Sequence, residues 1–418
     1  MPNRGIERPG YYKTEIGWLP LDWIVVPIGK VVKLSQYGLS IASDAEGSTP
    51  IIGMKNLVSG KVLLNDLAKV SIGQEDVEKF RLLPGDILLN RTNSYDLVGK
   101  VAIYDSNQLA VFASYLVRFQ FNTSQILPEF VDYFLNSNPA QQRLKKLATK
   151  GVSQANINPT VFKEQFLIPV PSIQEQKRIA EILATWDEAI ALTERAIEAK
   201  QNLRTALLSK LLNFEKSHQT KIGEISQVKS GSTPLRANYE SYFKAGTVPW
   251  VKTMDLNNGF IYKTAELITD TAIKQTACSV FPKGTVLVAM YGGFNQIGRT
   301  GLLKIDAAVN QAISAIQVDK SIVLPEYLLQ YLNAKVDYWK RFAASSRKDP
   351  NITRKDVCDF PIVVPSLLEQ RKIVDVLEAS DHEISLLHQY CACLQRQKRG
   401  LMQKLLTGEW RVAVQEAA

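Results

Sequence analysis

The sequence predicts an α+β chain built twice over, with two similar globular domains separated by two long antiparallel coiled-coil helices in an internal pseudo-twofold repeat. Three observations predict it. The stretch PSIQEQKRIAEIL at 171–183 returns as PSLLEQRKIVDVL at 365–377. The match extends without a gap over 168–212 and 362–406, with roughly 16 of 45 positions identical, and an offset of about 194 in a chain of 418 residues means duplication of a whole unit rather than a short repeat array. The longer segments that precede the two copies also echo one another.

Each repeated stretch opens with a proline, a serine and, three residues after the serine, a glutamate. That is the layout of a capping box, in which each side chain satisfies an orphan backbone N–H, so each copy reads as a helix start. Beyond the cap, steps of four and three residues from Ile179 reach Leu183, Trp186, Ile190, Thr193, Ile197, Lys200, Arg204, Leu207 and Leu211. From Ile373 the same steps reach Leu377, Ser380, Ile384, Leu387, Cys391, Leu394, Lys398, Leu401 and Leu405. A helix of about 40 residues, about 60 Å long, with one apolar seam at heptad spacing is poorly stable alone, and its natural partner is the other copy. Ile179, Leu183, Ile190, Ile373, Leu377 and Ile384 are expected to pack the two helices against each other.

The mixed segments repeat as well. PIGKVVK at 27–33 matches KIGEISQ at 221–227, and LPEFVDYFLN at 127–136 matches LPEYLLQYLN at 324–333, a helical pattern. GDILLNRTNSYDLVGKVAIY at 85–104 parallels GTVLVAMYGGFNQIGRTGLL at 284–303: an apolar strand, a polar loop rich in Asn, Gly and Tyr, then a second strand. The expected organisation is a first domain over 1–167, a helix over 168–214, a second domain over 215–361, and a helix with a C-terminal tail over 362–418.

With 45% hydrophobic and 22% charged residues the chain is long enough for sizeable cores. Its net charge of +9 and pI near 9.1 suggest an acidic partner, nucleic acid first. The surplus sits in the two mixed segments, at about +3 and about +6, while the repeated helices balance near 0 and +1. No apolar run approaches the roughly 20 residues of a membrane span, the N-terminus lacks a signal-peptide core, and four cysteines form neither a disulfide framework nor a CxxC pair. A cytoplasmic protein is expected.

Catalytic motifs are absent: no phosphate-loop signature, no HExxH, no GxSxG elbow, no GxGxxG after a strand. His388, Cys391 and Cys393 lack metal-ligand spacing, and Cys391 falls on the apolar seam, which favours packing; His382 and His388 read as helix-surface residues. No catalytic residue and no metal site are expected. The polar loops differ from the rest. NRTNSY at 90–95 and YGGFNQIGR at 291–299 gather amide, hydroxyl, aromatic and cationic groups at equivalent places. Arg and Lys read guanine, Asn and Gln read adenine, and hydroxyl and backbone N–H groups hold phosphates. The same residues also make ordinary turns, and GSTP at 231–234 is equally a phosphate-facing turn or a tight loop.

In their order these pieces resemble the DNA-specificity (S) subunits of type I restriction-modification systems. The resemblance is carried by TEIGWLPLDW, YGLSIA, GDILLNRTNSYDLVGK, PSIQEQ, SGSTP, VPWVKTMDL, NQAI at 310–313, PSLLEQ and LLTGEWRV, and it covers almost the whole chain. It implies two target-recognition domains, each reading one half of a split double-stranded DNA site, held apart by the paired helices. It also implies two adenine-methyltransferase (M) subunits and restriction (R) motor-nuclease subunits as partners, which use AdoMet, ATP and Mg²⁺, with no cofactor in this chain. Contacts to DNA are then expected from Lys55, Asn56, Arg91, Asn93, Ser94, Tyr95 and Lys100 in the first domain. In the second they are expected from Ser232, Thr233, Arg236, Lys252, Tyr291, Asn295, Gln296 and Arg299. The loops NRTNSYD and MYGGFNQ differ, so the half-sites should differ. Two other readings are a self-contained methyltransferase or nuclease, for which the motifs are missing, and a coiled-coil scaffold that never touches DNA.

If the helices act as a ruler, inserting one helical turn into both should lengthen the unread spacer between half-sites while leaving both half-sites unchanged. Methylome mapping that returned the original spacer would sink the ruler.

Overall fold

The computed structural model describes residues 8–151, 154–212, 219–292, 296–343 (main chain only for 340–343) and 351–413. It divides into two compact units, Met1–Glu194 with Tyr390–Ala418, and Arg195–Gln389.

In the first unit the run DILLN forms the strand Asp86–Asn90, all five residues buried. Three consecutive apolar residues between a buried Asp86 and a buried Asn90 suit a strand covered on both faces. It lies inside a six-stranded sheet ordered Val32–Tyr37, Leu116–Phe121, Asp86–Asn90, Val101–Tyr104, Gly60–Val62, Leu57–Val58. Neighbours are antiparallel except for the parallel pair of Val101–Tyr104 with Gly60–Val62. Just beyond Asn90 the chain enters a small sheet of Thr92–Asn93, Ala155–Ile157 and Ala148–Lys150. Phe119, Phe130, Phe162, Phe166 and Trp23 fill the core together with Ile179, Leu183, Met402, Leu405 and Leu406.

The second unit repeats this scheme. Its five-stranded sheet runs Ser226–Ser230, Ile313–Val318, Val286–Ala289, Thr300–Leu303, Gly259–Ile261, the same succession as the first five strands above. Its core gathers Tyr327, Trp339 and Phe360 around Leu212, Ile373, Val374 and Leu377. Gly99 and Gly298, with φ of +84° and +75°, make the same left-handed step before the strand that follows each polar loop, a step that favours glycine.

The long helices are Ile173–Leu211 and Leu367–Leu405, 39 residues each. Inside each unit they run antiparallel. In the first, Asp187 meets Lys398 Nζ at 2.5 Å and accepts from the Tyr133 hydroxyl at 2.8 Å. In the second, Arg204 pairs with Asp381, with Nη2 to Oδ2 at 2.9 Å, and its Nη2 also donates to Gln330 Oε1 at 3.1 Å. Asp187 and Lys398 in one unit thus correspond to Asp381 and Arg204 in the other. The seam runs as the heptad steps predict: Ile179, Leu183 and Leu377 are fully buried and Ile373 nearly so, while Ile190 and Ile384, farther along, are half-buried. Among the described residues no helix is long and apolar enough to cross a membrane.

The predicted capping box forms completely in the second copy, where Glu369 N–H donates to Ser366 Oγ at 3.3 Å and Ser366 N–H to Glu369 Oε2 at 3.0 Å. In the first copy only half forms. Ser172 Oγ still accepts from Glu175 N–H at 3.2 Å, but the buried Glu175 carboxylate instead accepts from Trp23 Nε1 at 2.9 Å and Arg411 Nε at 2.8 Å. Arg411 also clasps Asp22, and Tyr11 donates to the carbonyl of Gly408 at 2.9 Å, so the C-terminal tail is fastened to the N-terminal strands.

The glutamine that follows has one role in both copies. Gln176, fully buried, accepts from Leu127 N–H at 2.8 Å and donates to the carbonyls of Gln125 and Pro171 at 3.0 and 2.8 Å. Gln370 repeats this with Leu324, Ile322 and Pro365 at 2.8, 2.9 and 2.8 Å. Each amide joins a helix start to the N-terminus of the Pro128–Leu135 or Pro325–Ala334 helix. Replacing Gln176 by alanine strands one N–H and two carbonyls, at a cost of roughly 2–4 kcal/mol. The expected outcome is faster amide hydrogen exchange across Pro128–Leu135, with no change in Lys177→Ala, whose side chain is exposed.

Candidate nucleic-acid interface

In the first domain the polar loop continues from the central strand, so its first residues inherit a rigid backbone. Arg91 N–H donates to Tyr115 O at 3.0 Å, and Arg91 O accepts from Ile157 N–H at 2.8 Å. Its guanidinium is held too: Nε donates to Ser114 O at 3.2 Å, Nη1 to Asn156 Oδ1 at 3.0 Å, and the group lies 5.0 Å from the ring centre of Tyr37. Thr92 Oγ1 donates to the same Asn156 oxygen at 2.9 Å. Asn93 directs its amide at Met54 Sδ, 3.5 Å away, and accepts from Ser94 N–H at 2.8 Å. Ser94 begins a turn closed by the N–H groups of Leu97 and Val98, and Tyr95 stands partly exposed with Lys150 Nζ 4.1 Å above its ring and Lys145 Nζ at 6.0 Å. Lys55 and Lys100 are exposed. Asn56 is not. It is buried, with Oδ1 accepting from Gly53 N–H at 3.0 Å and its amide reaching Leu63 O at 3.4 Å, so its side chain holds the turn that presents Lys55.

The second domain spends its candidates differently. Ser232 is anchored through its main chain, with N–H to Val309 O at 3.0 Å and its carbonyl accepting from Trp250 Nε1 at 3.3 Å and the Cys278 thiol at 3.4 Å. Thr233 pairs with the side chain of Gln311. Arg236 and Lys252 both converge on Glu266, with Nη2 and Nζ at 2.8 and 2.9 Å from Oε2, and the Arg236 guanidinium lies 4.1 Å from the Phe243 ring centre. The hydrogen bond from Arg236, with Lys252 adding to it, pulls the Glu266 carboxyl down to about 2. Two of the expected DNA-facing cations thus share one carboxylate within the fold. Tyr291 is exposed, and Gln296 points its amide at the exposed Met254, 3.2 Å from Sδ. Arg299 is fixed by its backbone, N–H to Gln296 O at 3.0 Å and O accepting from Ala289 N–H at 2.8 Å. Asn295 lies outside the described residues.

The structure therefore brings Arg91 and Asn93 together with residues that sequence reasoning missed: Tyr37, Tyr115, Asn156 and Met54, the last of these the chain neighbour of Lys55. In the second domain the missed residues are Met254, Glu266 and Phe243. The equivalent strand pairings place Met290 at the position of Arg91, since its N–H donates to Ala312 O at 2.8 Å and its carbonyl accepts from Ile352 N–H at 3.1 Å. Met290 is buried. Glu266 aligns likewise with Ala68, because each pairs across from the strand that carries Trp250 or Ile51.

The helix faces turned away from the seam expose Leu192, Leu203, Leu368, Val376, Leu386 and Tyr390. Cys391 is buried in the seam, His382 and His388 are exposed, and among the described residues no group of His, Cys, Asp and Glu is placed to hold a metal ion.

Comparison with known proteins places this arrangement. The family model for the type I restriction modification DNA specificity domain matches the chain twice, over residues 20–200 and 215–394. A putative type I restriction enzyme MjaX specificity subunit from Methanocaldococcus jannaschii is 27% identical over 430 residues, covering 97% of this chain and 98% of that protein. A chain solved in work on complex assembly and conformational transition of the type I restriction-modification system superposes with a TM-score of 0.63 at 18% identity, covering 94% of this chain and 99% of its own. The S subunit from M. genitalium gives a TM-score of 0.57 at 18% identity, with 92% and 96% covered. With the family matched in both halves and across most of its length, the chain belongs to the type I restriction-modification DNA specificity family.

Proposed function

We propose that this chain is the non-catalytic targeting subunit of a type I restriction-modification complex, acting in the cytoplasm. Each domain reads one half of a bipartite site in double-stranded DNA, and two methyltransferase subunits, docked on the exposed apolar faces of the long helices, methylate adenines in the chosen site. AdoMet belongs to those subunits. ATP and Mg²⁺ belong to the motor-nuclease subunits that join for cleavage.

The observation that carries this reading is a duplicated scaffold with unlike loops. The same strand order, glycine step and helix clamp recur, yet the end of the central strand carries Arg91, Thr92 and Asn93 in one domain and a buried Met290 followed by exposed Tyr291 and Gly292 in the other. Two like frames with unlike polar groups suit the reading of two unlike half-sites. In the first domain the exposed Lys55 and Lys100, with Ser94 and the Tyr95–Lys150 stack, are proposed to meet the phosphates, while Arg91 and Asn93 face base edges. In the second, Tyr291, Gln296, Asn295 and Arg299 are the proposed contacts. Ser232 and Thr233 shape the turn beside them, and Arg236 and Lys252 act as a charge cluster shared with Glu266.

Co-expression with its methyltransferase subunits and mapping of methylated adenines tests the assignment. A single bipartite motif, lost when this chain is omitted, is the expected outcome. Exchanging residues 90–96 for the loop of another specificity subunit should change one half-site only, and a change in both halves would count against separate readers. Methyl transfer by the purified chain alone would overturn the non-catalytic role.

A further inference from the structure

We infer that Arg91 reads a guanine in the half-site of the first domain, held in its reading position by Asn156 and Tyr37. The inference rests on the DNA-reading role proposed above and names the base chemistry of one contact.

Arg91 combines immobility with unused donors. Its backbone is pinned on both sides, by Tyr115 O and Ile157 N–H, and its guanidinium by Ser114 O at Nε and Asn156 Oδ1 at Nη1. Those two bonds consume two of five N–H groups. Among the described residues Nη2 donates to nothing, so Nη2 keeps both hydrogens and Nη1 keeps one. Two adjacent terminal nitrogens with free N–H groups form a fork, and guanine O6 and N7 are two adjacent acceptors on the major-groove edge that match it. Adenine presents an acceptor beside a donor, which opposes one tine of the fork. Tyr37, about half exposed, covers the guanidinium face at 5.0 Å, and the half-exposed Tyr115 stands next to it, so the group is sheltered without being buried.

A phosphate would accept the same fork, but the duplication argues for a base. A phosphate contact carries no sequence information, and both domains would gain from keeping it. The second domain instead places Met290 at this position, 3% exposed and accepting a hydrogen bond from Ser314 at 3.0 Å. A cation present in one reader and replaced by a buried apolar side chain in the other behaves as a specificity position. Exposed Lys55 and Lys100, whose side chains make no hydrogen bond among the described residues, suit the phosphates better.

The test uses the complex with its methyltransferase subunits. In the half-site assigned to the first domain by loop exchange, Arg91→Met, which removes the fork, should relax one G·C position by roughly 5- to 150-fold relative to the others and leave the other half-site unchanged. Asn156→Ala, which removes the positioning bond, should relax the same position less. A duplex carrying 7-deazaguanine there, which lacks the N7 acceptor, should bind the wild-type complex more weakly and the Arg91→Met complex no differently. An unchanged motif in Arg91→Met, relaxation at an A·T pair, or uniform weakening with no single position relaxed would each overturn the guanine assignment while leaving two DNA readers intact. A wild-type complex that produced no bipartite methylation would overturn the DNA-reading role itself.

Discussion

The ends of the long helices are also part of the domain cores, and the rest of each unit is built on that sharing. Ile179 and Leu183 from one helix and Met402, Leu405 and Leu406 from the other fill space beneath Phe119, Phe130 and Phe162. Burial of such side chains is worth about 1.5–3 kcal/mol each, enough to recruit a neutral helix that its own propensity would leave marginal. Apolar contact alone has no direction, and polar groups supply it here. Gln176 fixes the helix start against the loop at 125–127, and Asp187 fixes the register by joining Lys398 to Tyr133. A slip of the helices would leave those half-buried charges unpaired, which costs more than the pair contributes.

Because these constraints are internal to each unit, the duplication preserves them and releases the surface. Gln176 and Gln370 make the same three bonds, Gly99 and Gly298 the same step, and Asp187 and Asp381 the same ion pair with the cation reversed in type from lysine to arginine. What is free to change lies at the end of the central strand, where the backbone is rigid and the side chains leave the sheet. A rigid frame under variable side chains is what a binding surface requires, since contacts placed there are already ordered before a ligand arrives.

Much of the fold was legible because its strongest signal is periodic. The heptad seam depends on spacing within one segment, and every seam position from Ile179 to Leu211 is buried or half-buried. The apolar strands and the echo between 85–104 and 284–303 were legible for the same local reason. The half-formed cap was not, because Trp23 and Arg411, which draw Glu175 away, lie 152 and 236 residues from it. The site divided along the same line. The loops announced themselves by composition, but the fates of their residues depend on partners across sheets. Asn56 is turned inward by Gly53 and Leu63, Arg91 is held by Asn156, and Arg236 is held by Glu266. Periodicity says nothing about which distant side chain completes a polar group.

Charge shows why the difference matters. Counted along the sequence, the second mixed segment carries about twice the surplus of the first, which would make the second domain the stronger attractor of a polyanion. The structure shows where part of that surplus is paired. Arg236 and Lys252 share Glu266, whose carboxyl is held down to about 2, so two of the segment's cations lie beside a carboxylate that the net count already includes. In the first domain Lys55 and Lys100 remain exposed, and Lys150 is stacked on Tyr95 with its charge unopposed by a carboxylate within salt-bridge reach among the described residues. A formal charge excess is thus a property of composition, while the field that meets a nucleic acid is a property of which cations the fold has already paired. Pairing leaves each segment's net charge as the sequence counts it, so the two domains differ in the amount of charge and also in the kind of group they offer: exposed lysines and an arginine fork in the first, a shared cation–carboxylate cluster in the second.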